Sequence, residues 1–240
     1  MQTNTKEPGL EALIVDWLAE HNGYEQGINE DYNKEYAIDE MRLFRFLEDI
    51  GILAVTTTPK AYEKEITIFK PRVNIKVALG LHPQLVSERY SELSLVEKHI
   101  GDAEYIGEIG LDFNSQFYFS KEKQIGVFEN VISWCSPKGG KVISIHSVRS
   151  DKVVLDVLEK HCCTDKNKCI LHWFSGSMTQ LRRAVEMGCY FSINGAMIKS
   201  PNGHKLIPNI PADKILLESD APFINDIITP QRLKAEMQGS

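Results

Sequence analysis

Seven short apolar stretches alternate with amphipathic stretches along the chain. The apolar stretches are rich in β-branched and aromatic residues and are bounded by Gly, Pro or charged residues, a pattern that predicts β-strands. They span residues 52–59, 74–83, 104–112, 141–147, 168–176, 189–195 and 214–223. Successive strands start about 20 to 40 residues apart, which is the spacing of repeated β-α units.

The stretches between these strands repeat apolar residues at helical spacing. The pattern predicts helices over residues 125–135, 153–158 and 181–185. Ser150 and Ser177 are predicted N-caps of the second and third helices, and Gly188 is a predicted C-cap. The chain is therefore predicted to be an α/β protein.

Polar residues near the carboxyl ends of five strands decide between an open sheet and a barrel. Continuously apolar strands indicate a parallel sheet that is covered on both faces. An open sheet gathers its site at one switch point, whereas a barrel brings many strand ends to one pocket. The five residues are His82, Glu108, His146, His172 and Asp220. Their distribution predicts a TIM-like barrel.

Composition and charge limit the partners of this barrel. The chain has 240 residues, of which 42% are hydrophobic, enough for one sizeable core. Its net charge of -6 gives no general basic field, so binding of nucleic acid requires a local patch or a metal. The apolar runs are shorter than the roughly 20 residues that span a bilayer, and the start MQTNTKEPG has no secretory pattern. We expect a cytoplasmic protein without a membrane partner, with Cys162, Cys163 and Cys169 as reduced loop thiols.

Glu108 lies in the middle of an otherwise apolar strand. A buried carboxylate is costly unless a cation, a donor or a proton compensates it. Taken singly, each of the five polar residues is also explained as a hydrogen-bonded core or turn residue. Taken together, imidazoles and carboxylates at one end of successive strands are typical ligands of one or two divalent ions such as Mg, Mn or Zn.

Four motifs carry a resemblance to a known family. The segments GEIGLD, IHS, ILHWFSG and ESDAPF, in this order, resemble the TatD-like metal-dependent deoxyribonucleases. The resemblance runs from about residue 52 to residue 223, and the segments AVTTTPKAYEKEI and VALGLHPQL are similar to the TatD-family component of the Qat anti-phage systems. It implies a metal-dependent hydrolase that cleaves DNA, with partner proteins in a defence complex.

The resemblance also implies roles for individual residues. Glu108 would bridge two divalent ions, and His146 and His172 would complete one of the two sites. Asp220 would belong to the other site and to the attacking water, so Glu108 and Asp220 are the predicted catalytic residues. His82 and Arg149 are predicted to bind the substrate, although Val148 stands where the family usually has Arg.

Two departures from the family pattern modify this expectation. The family opens with a His-x-His pair that supplies two metal ligands, and no such pair occurs in this sequence. Residues 7–49 instead resemble the N-terminal segment of the motor-nuclease subunit of type I restriction enzymes. We therefore expect a helical, unrelated segment over residues 1–49 and a partial barrel over residues 50–240 that lacks its first strand and last helix. A natural fusion and an assembly artefact both fit this arrangement.

Three functions remain open at this point. The first is a TatD-like nuclease whose activity is impaired by loss of the His-x-His pair. The second is a non-catalytic remnant or binding component of a defence complex. The third is an amidohydrolase-like enzyme that acts on a small amide or ester, which a bridging carboxylated lysine would support.

Overall fold

The computed structural model of the protein describes residues 51–220, together with residues 32–33, 38–39 and 233. The chain forms two compact units, residues 1–52 and 53–240. In the first unit, strands β1 (Tyr32–Asn33) and β2 (Ile38–Asp39) pair in antiparallel fashion. Two predictions lie outside the described residues. They are the helices expected elsewhere in residues 1–49 and the expected lack of a last helix.

All seven strands that the sequence predicts are present. They are β3 (Ile52–Val55), β4 (Ile75–Ala78), β5 (Tyr105–Asp112), β6 (Val142–Val148), β7 (Lys168–His172), β8 (Tyr190–Ile193) and β9 (Ile215–Leu217). Strands β5 to β9 form a parallel sheet in chain order. Strands β3 and β4 form a second pair, which a parallel bridge from Leu79 to Ile106 joins to β5. The fold is therefore of the predicted TIM-like barrel type.

Helices connect these strands. They are α1 (Pro59–Phe69), α2 (Val86–Arg89), α3 (Leu93–His99), α4 (Lys121–Cys135), α5 (Asp151–Lys160), α6 (Met178–Glu186), α7 (Gly195–Lys199) and α8 (Pro201–Leu206). Helices α4, α5 and α6 confirm the three that the sequence predicts.

Two of the three predicted helix caps, Ser177 and Gly188, are confirmed, and Ser150 has a different hydrogen bond. The Ser177 hydroxyl accepts the N–H of Gln180 at the start of α6, and Gly188 follows that helix with a positive φ of 80°. Ser150 also stands at an N-cap position, but its hydroxyl donates to the carbonyl of Leu111 at 2.7 Å. It therefore ties the start of α5 to β5 instead of capping the helix.

Strand β5 is the most deeply buried strand of the sheet that carries the predicted site. Ile106, Ile109 and Leu111 are at most 1% exposed, as expected for a parallel strand that is covered on both faces. At Gly110, which has a φ of 133°, a Cβ atom would lie only 2.1 Å from the carbonyl oxygen of His146. The glycine therefore allows β5 and β6 to approach each other beside the histidine.

All five cysteines are free, and only Cys162 is exposed. Cys169 lies within β7, in agreement with the predicted strand over residues 168–176, so the expectation of a loop thiol is wrong for it. Cys163 is fully buried. The sulfur atoms of Cys163 and Cys169 are 3.9 Å apart. The apolar neighbours of strand β7 explain the difference, because a thiol behaves there as a small hydrophobic group.

None of the described helices is both long and apolar enough to cross a membrane.

Candidate functional site

Glu108 is the centre of a group of side chains at the carboxyl ends of the strands. One of its oxygens, Oε1, lies 2.9 Å from Nδ1 of His146, 3.7 Å from Nε2 of His82 and 3.9 Å from Nε2 of His172. Glu108 is only 7% exposed. Three imidazoles thus surround the buried carboxylate for which the sequence predicts a partner.

His172 faces a different carboxylate with each ring nitrogen. Its Nδ1 lies 2.6 Å from Oε2 of Glu218, and its Nε2 lies 3.3 Å from Oδ1 of Asp220. Glu218 in turn accepts hydrogen bonds from the Ser192 hydroxyl and, at 2.8 Å, from the Asn194 amide. Such a carboxylate on the far nitrogen fixes the tautomer of a metal-binding histidine and increases its basicity.

His146 is held between two carboxylates. Besides Glu108 at its Nδ1, it has Oδ2 of Asp112 at 3.2 Å from its Nε2. Asp112 is 1% exposed, and it also accepts the side-chain amide of Gln84 at 2.7 Å and the backbone N–H of Asn114 at 2.9 Å. These bonds fix Asp112 and, through it, the imidazole plane of His146.

His82 lies close enough to be considered a metal ligand, but its hydrogen bonding favours another role. Ligand atoms of His82, Glu108 and His146 all lie within 4.8 Å of one another. However, Nδ1 of His82 accepts the backbone N–H of Gln84 at 3.3 Å. A neutral imidazole with an accepting Nδ1 carries its proton on Nε2. An N–H that faces Glu108 has no lone pair for an ion, so this tautomer disfavours His82 as a ligand despite its proximity.

The electrostatics of the group follow from this packing. Burial alone would raise the pKa of Glu108, but the hydrogen bonds with His146 and His82 outweigh it and hold that pKa well below its usual range. Burial lowers the pKa of His172, but the bonds to Asp220 and Glu218 outweigh it and raise that pKa to about 11. For His146, the bonds to Asp112 and Glu108 likewise outweigh burial and raise the pKa. Positive charge is therefore strongly favoured at this site.

The donor set fits a divalent cation. The described ion pairs of the four carboxylates Glu108, Asp112, Glu218 and Asp220 involve histidines and neither Lys nor Arg. Atoms that bind one ion at about 2.0 to 2.2 Å stand roughly 3 to 4 Å apart. Nε2 of His172 has this separation from oxygens of both Glu108 and Asp220. These three residues would hold one ion, with His146 on the other side of Glu108. This grouping differs from the one that the resemblance implies, in which His146 and His172 complete one site and Asp220 belongs to the other.

Five of the six predicted site residues meet here: His82, Glu108, His146, His172 and Asp220. The sixth, Arg149, does not take part in the described ion pairs. It is exposed and has a positive φ of 53° just after β6. Sequence analysis missed the structural roles of Asp112 and Glu218. A signal for Glu218 was present, because it directly follows a predicted apolar strand core and stands two residues before Asp220.

Comparison with known proteins identifies relatives of this arrangement. A family model described as TatD related DNase matches residues 28–238, which includes part of the segment that the sequence assigns to an unrelated graft. The deoxyribonuclease Tat-D of Schizosaccharomyces pombe is 30% identical over 126 residues, which cover 52% of this chain but only 40% of that protein. The 3'-5' ssDNA/RNA exonuclease TatD of Erwinia amylovora is 26% identical over 181 residues, covering 72% of this chain and 69% of the relative.

A solved structure shares the fold. The crystal structure of the TatD homologue YJJV from Escherichia coli K12 matches with a TM-score of 0.63 at 20% identity, and the match covers 83% of this chain and 84% of that one. At this level of identity the likeness concerns the fold alone.

Proposed function

The chain belongs to the family of TatD-related DNases, and we propose that it is a metal-dependent hydrolase of phosphodiester bonds in DNA. The observation that supports this most strongly is the group of three imidazoles around Glu108, with Asp220 beside His172. A bound divalent ion polarises a phosphate oxygen and lowers the pKa of water. The residue roles below follow from the contacts of this chain.

Glu108, His172 and Asp220 are proposed as ligands of one ion, and His146 as a ligand on the second side of Glu108. Asp220 is also proposed to accept the proton of the attacking water, because its carboxylate lies beside the proposed ion. His82 presents Nε2–H toward the same space. We therefore propose that it donates a hydrogen bond to the substrate phosphate and does not bind the ion. Arg149 is proposed as a more distant contact to the substrate.

We further propose that catalysis is weaker than the two-metal reaction allows. Two-metal cleavage uses one ion at the attacking oxygen and one at the leaving oxygen. Without a His-x-His pair, one of the two positions has fewer nitrogen ligands. Occupancy should be unequal, and a high concentration of manganese should increase the rate.

The test is cleavage of labelled single- and double-stranded DNA across titrations of Mg, Mn and Zn. We expect activity that rises with metal into the millimolar range and that is lost in Glu108→Ala. The matched control is Glu104→Ala, because Glu104 is an exposed glutamate directly before the same strand. Full activity at micromolar metal would contradict the impairment, and cleavage by Glu108→Ala would contradict the metal assignment.

A binding component without catalysis is the second candidate, and the missing His-x-His pair favours it. Metal binding and DNA binding without cleavage under any metal condition would support it. An amidohydrolase-like activity on a small amide or ester has less support, because the described ion pairs of the site contain no lysine that carboxylation could convert into a bridge.

The association with anti-phage defence, partner proteins of a defence complex and a cytoplasmic location remain proposals from the sequence. A plaque assay in cells that carry the complete locus, with Glu108→Ala beside the unchanged chain, tests the first. Equal plaque numbers with both chains would contradict a catalytic contribution to defence.

A further inference from the structure

Exposed aromatic rings and lysines lie together on the segment that follows β5 and on the neighbouring turn. The aromatic-lysine patch consists of the exposed residues Tyr90, Tyr118, Phe119 and Lys123 and the half-buried residues Phe113 and Lys121. Phe119 is 76% exposed, Tyr118 is 52% exposed and Tyr90 is 47% exposed. Single exposed apolar residues are common, whereas several close together indicate a binding surface.

Two lysine ammonium groups lie over aromatic rings within the patch. The rings of Phe113 and Tyr118 meet edge to face at 6.0 Å. The ammonium group of Lys121 lies 5.2 Å from the centre of the first ring and 5.4 Å from the centre of the second. Lys123 lies 5.6 Å from the ring centre of Tyr90. The patch thus offers flat apolar faces beside cations, although the chain as a whole is acidic.

Buried hydrogen bonds connect the patch to the candidate metal site. Gln124 is completely buried, and its Oε1 accepts the backbone N–H of Asp112 at 2.8 Å. Its amide donates to the carbonyl of Phe117 at 3.1 Å and to the Ser120 hydroxyl at 3.0 Å. Asp112 contacts His146. The turn that bears Tyr118 and Phe119 is therefore anchored to the strand end that carries the site.

We propose that the aromatic-lysine patch binds unpaired bases of a single-stranded nucleic-acid substrate. This inference rests on the proposed function and assigns its substrate a binding surface outside the candidate metal site. Bases stack on exposed aromatic rings irrespective of sequence, while neighbouring cations pair with the phosphates. Phe119 and Tyr118 would provide the stacking faces, and Lys121 and Lys123 the charge. In a duplex, each base already stacks on its neighbouring base pairs, so a duplex would not stack on the aromatic rings of the patch.

The experiment measures binding and not cleavage. Fluorescence anisotropy of an end-labelled single-stranded oligonucleotide is recorded in EDTA at one fixed salt concentration, where a metal-dependent enzyme does not degrade the probe. Phe119→Ala and Tyr118→Ala should each increase Kd about 5-fold or more, as expected for loss of a stacked base. Phe119→Trp should retain the affinity. An abasic oligonucleotide of the same length should bind weakly and equally to the unchanged protein and to Phe119→Ala.

A matched pair of lysine variants separates local from general charge. Lys121→Gln should weaken binding. Lys214→Gln is the control, because Lys214 also lies over a ring, 4.2 Å from the centre of Tyr190. These two residues stand at the amino ends of β8 and β9, whereas the candidate site lies at the carboxyl ends of the strands. Lys214→Gln should therefore leave binding unchanged.

Three results would overturn the proposal: no binding of the single strand, an unchanged Kd in both alanine variants, or an equal loss of affinity for duplex. The expected binding pattern in a protein that cleaves no DNA would instead refute the proposed function and leave the patch assignment intact.

Discussion

His172 has a separate task for each of its ring nitrogens. Nδ1 contacts Glu218, while Nε2 points between Glu108 and Asp220. The sequence patterns indicated His172 and Asp220 as candidate site residues, since each interrupts or ends an apolar strand. They did not identify the partner of His146, because the pairing of Asp112 with it depends on how β5 and β6 align in space.

The first prediction concerns Glu218. Glu218→Gln keeps the shape of the side chain but removes the charge that increases the basicity of His172. Metal affinity should fall by roughly 10- to 100-fold, as measured by isothermal titration calorimetry with Mn or Zn. Glu122→Gln, at an exposed position of α4, should have no effect. Equal affinities for the two variants would contradict the orienting role.

The second prediction concerns pH. In the metal-free protein the pKa of His172 is raised to about 11, from an ordinary value of about 6.5. Its protonation therefore stabilises the fold fully below about pH 6.5, and this contribution is lost as the pH rises toward 11. The free energy of unfolding in EDTA, measured with urea, should decline across that range, and metal affinity should rise because fewer protons compete. In His172→Gln the decline should be smaller, and an unchanged slope would contradict the assignment.

At the scale of elements, the strands were predictable and their ends were not. Burial on both faces gives β5 and β6 long apolar runs that are visible in the sequence. A strand ends where hydrogen bonding to its neighbour stops, and this depends on the neighbour. Residues 168–176 therefore read as one strand, whereas β7 ends at His172. That ending places the imidazole at the carboxyl end of the central strand of the sheet.

The third prediction tests the contact between β5 and β6. Gly110→Ala places a methyl group against the backbone of His146 and forces a residue with a side chain into a conformation suited to glycine. We expect destabilisation by at least about 2 kcal/mol, together with weaker metal binding. Gly126→Ala is the control, because its Cβ meets nothing within 4 Å in the middle of α4 and should be neutral or slightly stabilising. The melting temperatures of the two variants, measured by thermal unfolding, test this difference in stability.

At the scale of the whole molecule, four carboxylates meet at one end of the barrel, and their described ion pairs are with histidines. This concentration of carboxylates was predictable from the sequence, because several strand ends carry charged residues. Sequence analysis could not assign the ligand geometry, since separations between distant strands are fixed only by tertiary packing. The helical segment that the sequence predicts before residue 50 stays a prediction, because helical spacing does not reveal where a segment packs.

The fourth prediction is that a bound ion stabilises the whole protein. At a metal concentration of one hundred times Kd, binding should add about 2.7 kcal/mol to the free energy of unfolding. For a chain of this length, the melting temperature should rise by about 5 to 10 °C. Differential scanning calorimetry with Mn and with EDTA measures this shift. Glu108→Ala should show little of it, and an equal shift in that variant would place the ion elsewhere.

The distribution of the thiols allows local and global unfolding of the protein to be followed through its own cysteines. Cys162 is exposed, whereas the other four cysteines are buried, and burial raises the pKa of Cys135 and Cys189 to about 12. Because alkylating reagents attack thiolates, the folded chain should label once quickly and four more times only as it opens. The labelling rate of the four slow thiols, followed by mass spectrometry, would measure how often the barrel opens, without a substrate or an engineered label.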